Sequence, residues 1–269
     1  MDESITVDGR EICINDRLLM IWIYPHGIND KKIEKRLVPE SAPDWITQTF
    51  YKGKQRILLN DRATLAWVGS YPGQEIHVPF DRHTQDGYPT ELVFDLDPPD
   101  SDHFELTLEV ALKLKEVLDS LGFVSVPKTS GATGLQIYVP IQPEYTFKQT
   151  RHINKFIADY MLQQMPEKIT LERVVEKRGK KLYFDYLQLW AGRTMVAPYS
   201  VRARTNATVS APVMWEELQR GFDPTDFTII NMPDRIRKKG DLFSLVTTEK
   251  LTQSLDEILG FLQRRGCII

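Results

Sequence analysis

The chain has 269 residues, of which 42% are hydrophobic and 26% are charged, and its formal net charge is −3. This length suits one large or two small globular domains, and no apolar run approaches the ~20 residues that a membrane-spanning helix needs. The first ten residues are acidic and polar, unlike a secretory signal, so we expect a cytoplasmic protein with no membrane partner.

The basic residues are unevenly distributed. The slight net acidity argues weakly against a nucleic-acid binder, which usually has a basic excess, but local patches set the field that a phosphate backbone meets. The clusters are Lys52, Lys54 and Arg56; Lys177, Arg178, Lys180 and Lys181; Arg202 and Arg204; and Arg235, Arg237, Lys238 and Lys239. Each cluster is equally compatible with a solvated face, which is the preferred interpretation for residues 235–239. Cys13 and Cys267 indicate neither a disulfide framework nor a zinc site.

Residues 1–90 are predicted to form a β-rich first lobe. An acidic cap at Asp61 predicts a helix over residues 61–68, and residues 74–79 (QEIHVP) predict a strand that carries His77. The other strands predicted in this lobe are 12–14, 18–24 and 55–59.

The segment ELVFDLDPP, residues 91–99, is central to the chain. Its apolar, strand-forming residues end at a Pro-Pro pair, and alternation along a strand turns Leu92, Phe94 and Leu96 toward a core. Asp95 and Asp97 then share the opposite face, roughly 6–7 Å apart. Two carboxylates held this close repel each other unless a cation lies between them. The pair therefore indicates a metal site, although a turn beside a solvated carboxylate would give the same local pattern.

The rest of the chain predicts alternating helices and strands. A helix begins at Ser101 or Asp102 and ends at Gly122, and strands follow at 123–126 and 135–141 around the loop KTSGATG. Further helices are predicted at 148–165, 213–221 and 250–265, and further strands at 181–187 and 195–198. This pattern favours an α+β fold with helices on one face of a sheet.

The loop KTSGATG, residues 128–134, is a candidate phosphate-binding turn. Its glycines let backbone N–H groups approach a phosphate, and Lys128 and the hydroxyl groups add charge and hydrogen bonds. The spacing does not fit a Walker A loop. A plain hairpin turn explains the loop equally well.

The strand KLYFDYL offers a third carboxylate. If Leu182, Phe184 and Tyr186 face inward, Asp185 faces the opposite way and can join Asp95 and Asp97. Such clusters hold Mg²⁺ or Mn²⁺ through oxygen atoms while nucleotide phosphates fill the remaining positions. Two such ions activate an attacking hydroxyl and stabilise the leaving oxygen. Three flanking arginines suit a triphosphate: Arg178, Arg193 and Arg202.

The ordered motifs FDLDPP, KTSGATGLQIYVP, YFDYLQ and TMVAPYSVRAR resemble the polymerase domain of bacterial ATP-dependent DNA ligase D, within the archaeo-eukaryotic primase superfamily. The resemblance implies a primase-polymerase fold, with a central, mostly antiparallel, RRM-like sheet flanked by helices. It also implies a single domain over residues 1–269. Its parts would be a shortened β-rich lobe at 1–90, a catalytic core at 91–225 and a helical tail at 226–269.

The resemblance also implies roles for individual residues. Asp95, Asp97 and Asp185 match the metal ligands of the family, and Lys52 and Lys54 are expected to contact DNA. The residues expected to bind the nucleotide are His77, Lys128, Ser130, Gly131, Gly134, Gln136, Arg178, Gln188, Arg193 and Arg202.

The sequence departs from the family pattern at three places. Gln136 stands where the family usually has a histidine that touches the triphosphate, and glutamine can donate a hydrogen bond but carries no charge. Leu189 stands where the family usually has an asparagine. We also expect the N-terminal segment that grips a 5′-phosphate at a DNA gap to be missing, with Lys52 and Lys54 as substitutes.

The resemblance implies a template-directed nucleotidyltransferase that adds nucleotides, preferably ribonucleotides, to primer 3′ ends during gap filling in non-homologous end joining. Its cofactors would be two Mn²⁺ or Mg²⁺ ions, and its substrate a nucleoside triphosphate. The expected partners are DNA, Ku and a DNA ligase domain, with the protein a nucleoid-associated monomer. The alternatives are a catalytically weakened homologue that binds DNA ends, and a metal-dependent phosphodiesterase that uses the same carboxylates.

Overall fold

The computed structural model describes residues 6–7, 10–11, 14–71, 75–247 and 250–266. Cys13 and Cys267 lie outside the described residues, as do residues 12–13 of the first predicted strand and residue 74 of a later one. Across the part of the chain that is described, no helix is both long enough and apolar enough to cross a bilayer.

The described strands, in chain order, are β1 (Thr6–Val7), β2 (Arg10–Glu11), β3 (Met20–Ile23), β4 (Ile33–Lys35), β5 (Gln48–Tyr51), β6 (Lys54–Ile57), β7 (Glu75–Pro79), β8 (Glu91–Asp97), β9 (Val126–Thr129), β10 (Leu135–Pro140), β11 (Ile169–Thr170), β12 (Leu182–Asp185) and β13 (Thr194–Val196). The described α-helices are α1 (Arg62–Gly69), α2 (Phe104–Ser120), α3 (Phe147–Gln164), α4 (Trp215–Arg220), α5 (Met232–Lys239) and α6 (Asp256–Arg264).

The central sheet has five strands in the order β11-β12-β8-β10-β9, and every pairing is antiparallel except β11 with β12. Leu92, Phe94 and Leu96 alternate along β8 and are fully buried, as the sequence pattern predicts. Helices α2 and α3 both contact β8, so the central strand is covered on its apolar face. The α+β class predicted from the sequence is confirmed.

A second sheet has four strands in the order β13-β7-β3-β4. Three of them come from the first 79 residues, whereas β13 belongs to the segment after β12 and pairs with β7. The pairing of β13 with β7 ties the two sheets together. The helix predicted at residues 61–68 is present as α1, and the side chain of Asp61 caps it by accepting a hydrogen bond from the backbone N–H of Thr64 at 2.6 Å.

The C-terminal segment packs on the same hydrophobic core as the central sheet, since Phe243, Leu255 and Leu259 all belong to that core. The basic run at residues 235–239 lies on α5 and is not simply solvated. Arg235 forms a forked ion pair with Glu217 on α4, in which Nη1 lies 2.7 Å from Oε1. The division of the chain into a first lobe at residues 1–90, a catalytic core at 91–225 and a helical tail at 226–269 stays a prediction.

Two boundaries differ from the sequence prediction in ways that affect the site. Strand β9 runs to Thr129, so Lys128 lies within a paired strand and not in the glycine loop. Strand β12 ends at Asp185 and not at residue 187, because the Asp185 side chain accepts a hydrogen bond from the Leu187 backbone N–H at 2.9 Å and turns the chain.

Candidate active site

Three carboxylates meet on the polar face of the central sheet. Asp95 and Asp97 lie two residues apart on β8, and Asp185 on β12 is paired directly with Asp95 across the antiparallel ladder. Directly opposed residues project from the same face of a sheet. The register therefore places Asp185 beside the first two carboxylates, as the alternation in the sequence predicts.

The three charges repel one another. Burial, followed by the charges of Asp97 and Asp185, raises the pKa of Asp95 well above its ordinary value. Burial and then the charge of Asp185 raise the pKa of Asp97 to about 6. A carboxylate group whose pKa rises for these reasons is one whose negative charge is only partly compensated.

The donor set fits a hard divalent cation, which prefers carboxylate oxygens and would supply the missing positive charge. In the side-chain positions of the described residues, however, no three or more His, Cys, Asp or Glu side chains are arranged as a metal-binding cluster. The metal role of Asp95, Asp97 and Asp185 therefore stays a prediction that rests on the register and the raised pKa values.

The row of side chains continues across the sheet beyond the carboxylates. Gln136 on β10 is paired with Asp95 on one side and with Lys128 on β9 on the other. Asp185, Asp95, Gln136 and Lys128 thus project from one face of four successive strands. We call this set the cross-strand row.

Lys128 ends the cross-strand row and is fully buried. Its ammonium group donates to Oε1 of Gln136 at 2.5 Å and to the carbonyl oxygen of Val196 at 3.3 Å, and it also bonds to Oγ of Ser210. Burial lowers the pKa of Lys128 well below its ordinary value, although the charge of Asp95 opposes the change. Since these bonds all lie inside the protein, the predicted nucleotide contact of Lys128 stays a prediction.

The glycine turn is a tightly packed hairpin. Oγ of Ser130 accepts hydrogen bonds from the backbone N–H groups of Ala132 and Gly134 at 3.1 and 3.0 Å. Gly131 has a φ of +68°, and a Cβ there would lie 2.6 Å from Cγ of Arg202. A Cβ on Gly134 would lie 2.6 Å from the carbonyl oxygen of Leu96. Both glycines therefore have a packing requirement, and their predicted phosphate contacts remain untested.

His77 lies on β7 in a buried polar group that includes a residue not singled out from the sequence, Glu75. Nε2 of His77 lies 3.2 Å from Oε2 of Glu75, and Nε of Arg202 lies 3.1 Å from the same oxygen. Burial raises the pKa of Glu75, but the hydrogen bond with His77 and the charge of Arg202 outweigh it and hold the pKa at about 2. Burial lowers the pKa of His77, so the ring is neutral at neutral pH.

Arg202 links the His77 group to the glycine turn, because its Nη1 donates to the carbonyl oxygen of Ser130 at 2.8 Å. The ring of His77 also packs against Trp22, with a centroid separation of 4.8 Å. The only sequence signal for Glu75 is its place two residues before His77, on the same face of one strand.

The remaining predicted residues surround this centre. The guanidinium of Arg178 lies 3.7 Å above the ring of Tyr183, and its charge lowers the pKa of Asp97 against the larger effect of burial. Gln188 donates from Nε2 to the carbonyl oxygen of Thr194 at 3.1 Å and accepts from Arg193 at 3.3 Å.

The last residues to place are Leu189, which departs from the family pattern, and the hairpin lysines, which are predicted to contact DNA. Leu189 is fully buried in the main core, where an apolar residue is well suited. Lys52 and Lys54 are exposed at the tip of the β5–β6 hairpin, and Nζ of Lys52 lies 3.7 Å from a carboxylate oxygen of Asp86.

Comparison with known proteins identifies the fold and the family. A family model described as the primase-polymerase domain of LigD matches residues 12–243. The chain belongs to this family. The resemblance noted in the sequence is thereby confirmed.

Two curated relatives show how much of the longer proteins this chain matches. The Bifunctional non-homologous end joining protein LigD of Bacillus subtilis is 38% identical over 255 residues, which are 94% of this chain and 41% of that protein. The Multifunctional non-homologous end joining DNA repair protein LigD of Mycobacterium tuberculosis is 32% identical over 233 residues, which are 81% of this chain and 30% of that protein. The chain thus spans less than half the length of these relatives.

A solved structure is similar in fold. The polymerase domain from Mycobacterium tuberculosis Ligase D in complex with DNA superposes with a TM-score of 0.78 at 29% identity, covering 87% of this chain and 85% of that one. This LigD polymerase-domain chain therefore has the fold of that domain.

Proposed function

We propose that this chain is a template-directed nucleotidyltransferase that extends the 3′ end of a primer with nucleotides, preferably ribonucleotides, in gap filling during non-homologous end joining. The observation that carries the proposal is the convergence of Asp95, Asp97 and Asp185 on one face of the central sheet in a member of the LigD primase-polymerase family. Both curated relatives are named for non-homologous end joining, and the similar solved domain is bound to DNA.

The three carboxylates would hold Mn²⁺ or Mg²⁺, two ions in the full arrangement. When bound, such ions lower the pKa of an attacking hydroxyl and stabilise the charge on a leaving oxygen. The protein's own part is to hold the carboxylates in register, close to one another. Their raised pKa values support metal binding, because a cation at the site would offset their repulsion and return both groups to their ionised form.

The triphosphate would lie between the carboxylates and the cationic side chains. Arg178 is close enough to Asp97 to influence its charge, and Arg193 is exposed beside Gln188. His77 lies on β7 of the second sheet and Arg202 in the segment after β13, and both contact the carboxylate of Glu75. Placing a charged substrate among fixed donors is the main way that proteins accelerate phosphoryl transfer.

The proposed partners are a gapped or broken DNA duplex, with Ku and a DNA ligase domain acting in the same repair reaction. The protein would act as a monomer close to the nucleoid. The words Ligase D in the name of the similar solved domain support a DNA ligase domain as a partner.

Primer extension tests the proposal. A labelled primer on a gapped duplex, supplied with ribonucleoside triphosphates and Mn²⁺, should lengthen with the unaltered chain. Asp95→Asn keeps the side-chain shape but removes the charge, and incorporation should fall by about 100-fold or more. Asp119→Asn, which alters an exposed carboxylate on α2, is the matched control and should extend at the original rate. Equal extension by Asp95→Asn and the unaltered chain would refute the proposal.

A second candidate function is a weakened homologue that binds DNA ends without extending them. The observation that favours it is Gln136, whose amide oxygen is already bound to Lys128 and whose Nε2 contacts Sδ of Met195. The same assay separates the functions, because this candidate predicts DNA binding with no change in primer length. Shortening of the primer would indicate a phosphodiesterase.

A further inference from the structure

Lys128 determines which way the amide of Gln136 faces. Nζ of Lys128 lies 2.5 Å from Oε1 of Gln136, and its other close neighbours include the carbonyl oxygens of Val196 and Thr129. Carbonyl oxygens only accept hydrogen bonds, so Nζ acts as the donor to all three. The amide oxygen of Gln136 therefore faces Lys128, and its Nε2 group faces away from it.

The Nε2 side of Gln136 faces the carboxylate end of the cross-strand row. Gln136 is paired in register with Asp95, and its Nε2 lies 2.6 Å from Sδ of Met195. Burial raises the pKa of Asp95, and a hydrogen bond with Gln136 opposes this change. Because the amide oxygen already accepts a hydrogen bond from Lys128, the amide presents its N–H groups to Met195 and to Asp95. With the amide rotated by 180°, its oxygen would face the carboxylate oxygens of Asp95, which are also acceptors. Its N–H groups would face the ammonium group of Lys128, which is also a donor.

We propose that Lys128 is a positioning residue, which acts through Gln136 to fix the carboxylate of Asp95 for metal binding. Lys128 is well suited to the role because it is fully buried. Its ammonium group is held in place by hydrogen bonds to Ser210 and to the carbonyl oxygen of Val196 on β13. The inference rests on the proposed function, because only that function assigns a metal ion to Asp95. Hydrogen bonds behind a metal-binding side chain commonly set its orientation and its affinity.

The test measures Mn²⁺ binding to the full chain alone, by electron paramagnetic resonance titration without DNA or nucleotide. Lys128→Met keeps the length of the side chain and removes the donor. The inference predicts that the Kd for Mn²⁺ rises by about 10- to 100-fold. A simple charge effect predicts the reverse, because removing a cation near the carboxylates would strengthen the binding of another cation.

Stability and a matched lysine serve as controls. Lys128→Met leaves the buried acceptor oxygens of Gln136 and Val196 without the ammonium donor, so its melting temperature should fall. Mn²⁺ binding is therefore compared at a temperature where both proteins are folded. Lys250 is another substantially buried lysine, and it lies near Glu91 at the opposite end of β8. Lys250→Met should leave the Kd for Mn²⁺ within about twofold of the original, because Lys250 lies near the other end of β8 and is not part of the proposed relay through Gln136.

A second variant tests the same relay if Lys128→Met fails to fold. Gln136→Met should weaken Mn²⁺ binding to a similar degree, and the double variant should be no weaker than either single one, since both changes break one chain of contacts. An unchanged or lower Kd in Lys128→Met or Gln136→Met, or additive effects in the double variant, would overturn the inference.

The two proposals can fail separately. If the unaltered chain binds Mn²⁺ and extends primers while Lys128→Met binds Mn²⁺ equally well, only the positioning role is lost. If the unaltered chain neither binds Mn²⁺ nor extends primers, the proposed function is refuted and the positioning role with it.

Discussion

The two ends of the cross-strand row differ in how their charges are compensated. At the carboxylate end, Asp95 and its neighbour Asp97, which lies beside the row on β8, have raised pKa values because each is buried close to another carboxylate. At the other end, Lys128 is more deeply buried, yet its ammonium group has hydrogen-bond partners from Gln136, Ser210 and Val196. Burial shifts the pKa values at both ends against the charged forms, but the lysine charge has several hydrogen-bond partners, whereas the carboxylates repel one another.

The difference separates residues that await a ligand from residues that support the site. A buried charge without a partner is costly in the free protein and is retained where something from outside completes it. A buried charge with a full set of partners stabilises one arrangement of its neighbours. We therefore expect changes at the carboxylate end to abolish activity. Changes at the lysine end should instead displace the carboxylate of Asp95 and weaken metal binding.

The largest effect is expected at Asp97. Asp97→Asn should reduce nucleotide incorporation by about 100-fold or more, because it removes a proposed metal ligand. It should also stabilise the metal-free chain. The pKa of Asp97 is raised to about 6 in the folded protein from an ordinary 3.8, so the folded state binds the proton more tightly than the unfolded state. Stability from this group is present below about pH 4 and is lost as the pH rises through 6.

Urea denaturation of metal-free protein at pH 4 and pH 7.5 measures this effect. At pH 7.5 Asp97→Asn should have a free energy of unfolding higher by on the order of 2 kcal/mol, and the gain should shrink toward pH 4. Asp119→Asn on the surface of α2 is the control and should show no such gain. A variant at position 97 that is less stable than the original at pH 7.5 would contradict the view that this carboxylate lacks a partner.

A change in the glycine turn should lower stability without removing a proposed metal ligand, so its effect on activity should be smaller than that of Asp97→Asn. In Gly131→Ala the new Cβ would lie 2.6 Å from Cγ of Arg202 and 2.8 Å from the backbone nitrogen of Ser210. The positive φ costs about 1–2 kcal/mol for alanine, and the crowding adds about 1–3 kcal/mol. Thermal and urea unfolding measure the total.

Gly179→Ala is the matched comparison, since Gly179 also has a positive φ, of +61°, but a Cβ there meets nothing within 4 Å. It should lose only the first, conformational part of the free energy of unfolding. If the two variants lose equal stability, the close packing of Gly131 against Arg202 has no energetic weight.

The sequence predicts one end of the cross-strand row much better than the other. Alternation along residues 91–97 is a local property, and it correctly places Asp95 and Asp97 opposite the buried Leu92, Phe94 and Leu96. The same reasoning gives the orientation of Asp185, and the register then brings the three together.

The lysine end depends on contacts between distant parts of the chain. Lys128 stands next to Thr, Ser and Gly, which are typical of turns, so the local pattern assigns it to a loop and a phosphate. Its burial follows from Val196, which is held by the pairing of β13 with β7, and from Ser210, whose hydroxyl also donates to the last carbonyl oxygen of β9. Glu75 was missed for a similar reason, because its partner Arg202 arrives from far along the chain.

The smallest effect is expected at the β5–β6 hairpin, where Lys52 and Lys54 are exposed and neither buried nor fully compensated. The double variant Lys52→Ala/Lys54→Ala should weaken binding to a gapped duplex severalfold at low salt. Each phosphate contact that is lost should reduce the slope of log K against log salt by about one. Fluorescence anisotropy over a salt series measures both quantities.

The matched control is Lys113→Ala/Lys155→Ala, which removes two lysines on α2 and α3 that pair with Glu116 and Asp159 on their own helices. It should leave the salt slope unchanged. Duplexes with a 5′-phosphate or a 5′-hydroxyl at the gap sharpen the result, because lysines that grip the phosphate should cost more affinity on the phosphorylated duplex. If the hairpin variant and the control have the same slope on both duplexes, the exposed charge of the hairpin has no part in DNA binding.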